Sequence, residues 1–193
     1  MVSAATIVVG FVVLVLILLL VGYIISIYNQ LVSLNRRVDQ AKQNIDVLLK
    51  QRQDELTKLV DAASQFMEQE EDVLVQITEA RDTAEQAETP TEQANADQMV
   101  RDAMADFRAR VEDYPELRSQ KNMMQLQERI ADIESQVSDR REFYNEAVTR
   151  HNTRIAQFPY VILARQMGFT DKELFTAPEE ELEDVDVSAA FGN

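Results

Sequence analysis

A chain of 193 residues with 46% apolar side chains holds material for one modest core, not for two enzymes. Its 34 Asp and Glu against 19 Lys and Arg give a formal net charge of -15, which argues against a nucleic-acid partner, because phosphate backbones are held by basic faces. The absence of Cys excludes disulfides, thiolate catalysis, thiolate zinc sites and a lipidated cysteine, and four Gly with four Pro leave too few turn formers for a β fold.

The first 35 residues contain no Asp, Glu, Lys, Arg or His. Within them Ala4 to Ile27 is an apolar run of 24 residues, which at about 1.5 Å each crosses a hydrocarbon layer of roughly 30 Å. This predicts a single transmembrane helix. A cleaved signal peptide would need a basic start, a shorter apolar stretch and small residues before a cut. Tyr23 and Tyr28 stand near the downstream end, where phenol rings rest among headgroups. Arg36, Arg37, Lys42, Lys50 and Arg52 follow closely, so the positive-inside rule places the N-terminus outside and the rest of the chain in the cytoplasm. Lysine is scarce beside the acid excess, a composition suited to a salt-rich, halophilic cytoplasm as well as to an ordinary acidic protein.

Beyond the span the apolar spacing is helical. Leu31, Leu34, Val38, Ala41, Ile45 and Leu48 step by threes and fours. After a slip through Arg52 to Leu56, the stepping resumes at Leu59, Ala63 and Phe66, then at Val73, Ile77, Ala80 and Ala84. No Gly or Pro stands between Gly22 and Pro90, so a helix is free to run unbroken out of the membrane, with the acidic patch Glu68 to Asp72 as a break. Thr89, Pro90 and Glu92 form a helix start ahead of the stripe Val100, Ala103, Phe107 and Val111. The residue before Pro115 avoids helical geometry, which ends that helix at Tyr114. Ser119 or Asn122 opens the last long helix, and Phe158 with Pro159 closes it. The expected fold is all-α: a transmembrane helix in residues 1–27, an antiparallel, coiled-coil-like helical bundle in 28–176 with helices near 28–68, 71–88, 91–113 and 119–157, and a disordered acidic tail in 177–193. A coiled-coil hairpin that completes its core by self-association is the alternative. The segment "YVILARQMGF" from Tyr160 either packs over the bundle end or touches the membrane surface, and Thr170 with Glu173 reads as a capping box for a brief turn carrying Leu174 and Phe175.

Five stretches also resemble one family: "YNQLVSLNRRVDQAKQNIDVLLKQRQDEL" from Tyr28, "TEARDTA" from Thr78, "VEDYPELRSQKNMMQLQERIADIESQV" from Val111, "RREFYNEAVTRHNTRIAQFP" from Arg140 and "GFTDKELF" from Gly168. Together they look like the LemA family of prokaryotic membrane proteins. The resemblance spans nearly all of residues 20–176. It implies a single N-terminal span, an exterior N-terminus and a helical bundle, and it brings no assigned enzymatic activity.

Candidate functional residues concentrate on the last long helix. At about 100° per residue, Leu126, Ile130, Ile133, Val137, Tyr144, Val148, His151 and Ile155 share one side. Gln127, Glu134, Arg141, Asn145 and Asn152 line one edge of it. They read either as a buried hydrogen-bond network that fixes helix partners, or as a partly solvated flank, with a ligand site as a third reading. Arg52 falls on the apolar stripe of the first helix, where it needs a carboxylate, with Glu134 the speculative choice, or a path to water along its stem. His151 is the only histidine; position 148, three before it, is Val, so an inward Glu-x-x-His metal pair cannot form. No Gly-rich phosphate loop, nucleophile elbow or isolated carboxylate pair stands out. No catalytic residue, metal or cofactor is therefore expected, nor a small-molecule substrate. The expected partners are the lipid bilayer through Ala4 to Ile27 and either another protein or further copies of this chain.

Overall fold

The computed structural model describes residues 4–67 and 70–176. The fold is all-helical, with six helices and no strand among the described residues. They are α1 (Ala4–Ser64), α2 (Glu71–Gln86), α3 (Pro90–Val111), α4 (Pro115–Arg118), α5 (Lys121–Ala156) and α6 (Tyr160–Met167). The apolar run and the first amphipathic stretch are one element, because α1 is continuous for 61 residues. Nothing in that sequence caps, kinks or breaks a helix between Gly22 and Ser64. The side chains from Ile7 to Leu20 are exposed, as expected of a surface that faces lipid, and α1 is the one helix among the described residues long and apolar enough to cross a membrane.

The break after α1 begins at Ser64, ahead of the acidic patch, of which residues 68 and 69 lie outside the described residues. The expected tail, 177–193, lies outside them too. The start of α3 matches its signature. The Thr89 hydroxyl accepts from the Glu92 N–H at 3.1 Å, the Glu92 carboxylate accepts from the Thr89 N–H at 3.0 Å, and Pro90 occupies the first turn. Pro115 opens a further single turn, α4, that the spacing did not predict. The Thr170/Glu173 capping box does not form. Residues 169–176 are irregular, and the Glu173 carboxylate accepts instead from the Thr91 hydroxyl.

The chain divides into two compact units, residues 1–41 with 146–172 and residues 42–145 with 173–193. In the first, Ile27 and Leu31 of α1 pack with Ile155 of α5 and Ala164 of α6, flanked by Tyr160, Leu163 and Phe169. Gly168 ends α6 in the left-handed region (φ 75°), where its N–H and that of Phe169 both reach the Ala164 carbonyl. In the second unit Leu56 and Leu59 of α1, Ile77 of α2, Val100 and Phe107 of α3, Leu117 of α4, and Met123 and Ile130 of α5 form one buried cluster. Leu56, Leu59, Ile77, Val100, Phe107 and Ile130 are stripe residues that the threes and fours select, whereas Leu117 and Met123 lie outside those stripes. Each fully buried Leu, Ile or Phe contributes about 1.5–3 kcal/mol relative to exposure, so this cluster is the main source of the unit's stability.

Candidate functional site

The polar groups that matter most in the second unit converge on Asp97 of α3. Asp97 is only 4% exposed and takes three guanidinium groups. Arg52 of α1, 2% exposed, donates through Nη1 to Asp97 Oδ1. Arg101, one turn along α3, donates to Oδ2 at 2.8 Å, and Arg141 of α5 donates to the same oxygen at 3.0 Å. Arg141 also donates through Nη2 to the Gln93 carbonyl at 3.3 Å. Burial alone would push the Asp97 carboxyl up; the combined attraction of Arg52 and Arg141 outweighs it and holds the carboxyl below its ordinary range. One carboxylate thus binds guanidiniums from three helices while cancelling only one of their three charges, and breaking such a set by removing a partner is costly.

Arg52 therefore has a carboxylate, and it is Asp97 rather than Glu134. The reason is position: Asp97 lies on the α3 stripe three residues before Val100, facing the core, whereas Glu134 is half-buried at its margin. Burial pushes the Glu134 carboxyl above its usual range, against the pull of Arg52 and Arg108, and its Oε1 has no hydrogen-bond partner. The two acids consequently act with opposite sign. Asp97 adds stability above the carboxylate range that is lost as pH falls through its lowered value. Glu134 favours the fold below that range and loses the contribution as pH rises through its raised value. Glu134→Gln should raise the melting temperature by roughly 2–4 °C at pH 7 and leave it unchanged near pH 4, read by circular dichroism. A lower melting temperature for the variant at pH 7 would mean that the ionised carboxylate is stabilising.

The two asparagines each hold a peptide unit. In the second unit, Asn145 accepts the Phe175 N–H and donates to the Phe175 carbonyl, both at 2.8 Å. There the Phe175 ring lies 5.0 Å from the Arg141 guanidinium and edge-on to Tyr144, whose hydroxyl donates to the Glu173 carbonyl at 3.0 Å. In the first unit, Asn152 does the same for Lys172, with 2.9 and 2.8 Å. His151 is fully buried beside it, with Nδ1 at 3.2 Å from Asn152 Oδ1, its ring tilted toward Phe169, and Nε2 without a hydrogen-bond partner. An asparagine amide carries a donor and an acceptor side by side, and so pairs with both polar atoms of one residue's backbone. Gln127 is half-buried and joins none of these hydrogen bonds.

Of the predicted residues, then, the second unit gathers Arg52 and Arg141 on one carboxylate with Glu134 in electrostatic range, and Asn145 holds the segment whose ring stacks on Arg141. Asn152 sits in the first unit. Asp97, Gln93 and Arg101 were missed. A signal existed, because extending the α3 stripe backward from Val100 by three and by seven lands on Asp97 and Gln93. No group of three or more His, Asp or Glu side chains that could hold a metal ion occurs among the described residues.

These features define an all-helical protein whose buried polar groups bind one another and the backbone, on a helix that begins as an apolar span. The sequence model of the LemA family matches residues 41–189. The chain belongs to the LemA family. No curated protein matches it.

Proposed function

We propose that this protein is a membrane-anchored helical module that positions a partner protein at the cytoplasmic face, with its N-terminus outside and residues 28–176 forming an antiparallel bundle. The observation that carries the reading is the continuity of α1: residues 6–26 are uncharged and exposed, and its second half supplies Leu56, Leu59 and Ala63 to the core of the second unit. Arg52, Asp97, Arg141 and Asn145 are held in ion pairs and a backbone clamp, which supports a binding role over a catalytic one. A surface for the partner is available between α2 and α3, where a groove of about 250 Å³ is lined by buried Ala80 and Ala103, exposed Met99, and the exposed acids Glu79, Asp102 and Asp106. A lining of apolar and acidic side chains suits a basic amphipathic helix.

The lack of cysteine makes orientation directly testable. Ser3→Cys in intact cells should react with an impermeant maleimide, whereas Ser135→Cys, at an exposed position on α5, should react only after permeabilisation. The opposite pattern would overturn the assigned orientation. Light scattering of the full chain in lipid nanodiscs should give one copy per particle. Concentration-driven oligomers would favour the alternative, a self-associating coiled-coil protein.

A further inference from the structure

The charge of the first unit is opposite to that of the protein. Residues 1–41 and 146–172 carry six Arg or Lys against three Asp or Glu, a net of +3, while the remaining residues carry thirteen against thirty-one, a net of -18. Within this unit α1 and α5 enclose a groove of about 450 Å³ whose lining includes Arg37, Thr149, Arg150, Thr153 and Arg154. Arg37 has no ion pair among the described residues. Arg154 lies 4.8 Å over the Tyr160 ring, a contact with the ring face that uses none of its N–H donors in an ion pair. Arg150 pairs with Glu146 at the exposed surface, where such a pair is weak. The two threonine hydroxyls lie one turn apart on the same wall. Three fork-shaped donors with hydroxyls between them fit a phosphate diester.

The position of this groove indicates where the phosphate comes from. The corner between α5 and α6 packs on α1 at Ile27 and Leu31, and the Tyr160 hydroxyl donates to Gln30, so it lies where the apolar run of α1 ends. On that corner Phe158 is 81% exposed and Ile162 57% exposed, an apolar surface without protein to cover it. Arg36 and Arg37 are the first charged residues that α1 presents beyond the apolar run. Apolar side chains at the acyl boundary backed by arginines one layer deeper is the arrangement by which an interfacial segment meets anionic lipid.

We propose that the Arg37/Arg150/Arg154 groove holds the headgroup phosphate of an anionic phospholipid, with Phe158 and Ile162 seated in the interfacial layer. This rests on the reading of α1 as a membrane span. The test titrates the full chain in neutral detergent micelles with short-chain phosphatidylglycerol and, separately, with short-chain phosphatidylcholine, followed by native mass spectrometry. Phosphatidylglycerol should bind about tenfold more tightly. Arg37→Gln with Arg154→Gln should abolish that preference, and Arg118→Gln with Arg140→Gln, both exposed and outside the unit, should preserve it. Unchanged helicity and melting temperature certify each variant as folded. Because the chain has no Trp, Phe158→Trp is a single reporter in bilayers, and its emission should be quenched by lipids brominated near the headgroup end of the acyl chain. Equal affinity for the two lipids, a preference that survives the groove variant, complete displacement by inorganic phosphate at equal concentration, or an unquenched reporter would overturn the proposal. Alkaline carbonate washing of native membranes distinguishes the underlying reading: wild type released to the supernatant would refute the span itself, whereas a retained chain with a flat titration refutes the headgroup site alone.

Discussion

Replacing Asp97 by Asn should lower the melting temperature of the detergent-solubilised chain by roughly 10 °C, because it leaves buried Arg52 without a counter-charge, a loss of about 3–5 kcal/mol. The substitution keeps the side-chain volume and one acceptor oxygen. The deficit therefore measures charge and not a cavity. Arg101 and Arg141 deepen the loss, since each would then repel Arg52 across the same site. Arg52→Met combined with Asp97→Leu should recover most of the stability, as apolar replacements of buried ion pairs commonly do. A single mutant within roughly 2 °C of wild type, measured by loss of helical ellipticity, would mean that water enters the cluster and solvates the guanidiniums.

The second large effect is expected at Asn145. Its alanine variant orphans both polar atoms of the Phe175 backbone, which costs about 1–3 kcal/mol when such groups stay buried. The result to measure is local: the Phe175 amide should exchange its hydrogen roughly ten- to a hundredfold faster, while amides at the centre of α3 keep their protection. Asn145→Asp should fall between, because a carboxylate still accepts the N–H and repels the carbonyl. Equal acceleration across α3 would show that the segment is part of the global unfolding unit.

Much of this architecture is written in local pattern. The threes and fours from Leu31 to Ala84 select residues that are buried or, at Leu34, Ala41, Phe66 and Ala84, half-buried, and Thr89, Pro90 and Glu92 mark the start of α3 because capping is a contact between near neighbours. Continuity of α1 was an open question in the sequence, and the missing breakers carried the answer. Long-range pairing is different. Periodicity placed Arg52 in the core but contains no information on which of 34 carboxylates would reach it, and Asp97 is hard to single out in so acidic a chain. The Thr170/Glu173 pattern shows the converse error. Its local logic is sound, yet Thr91 and Tyr144 offer Glu173 tertiary hydrogen bonds, and these override a one-turn helix.

Beyond α6 the chain runs on without helix through residue 176, and Phe175 is buried there against Tyr144 and Arg141. A shortened protein ending at Gly168, an intuitive place to cut, would keep every helix and still be flawed. Stripping that ring away bares one aromatic face and a stacked guanidinium, a sticky spot on the acidic second unit. Such truncations are expected to clump on concentration, and proteolytic trimming near Lys172 would be a route by which the intact molecule loses solubility.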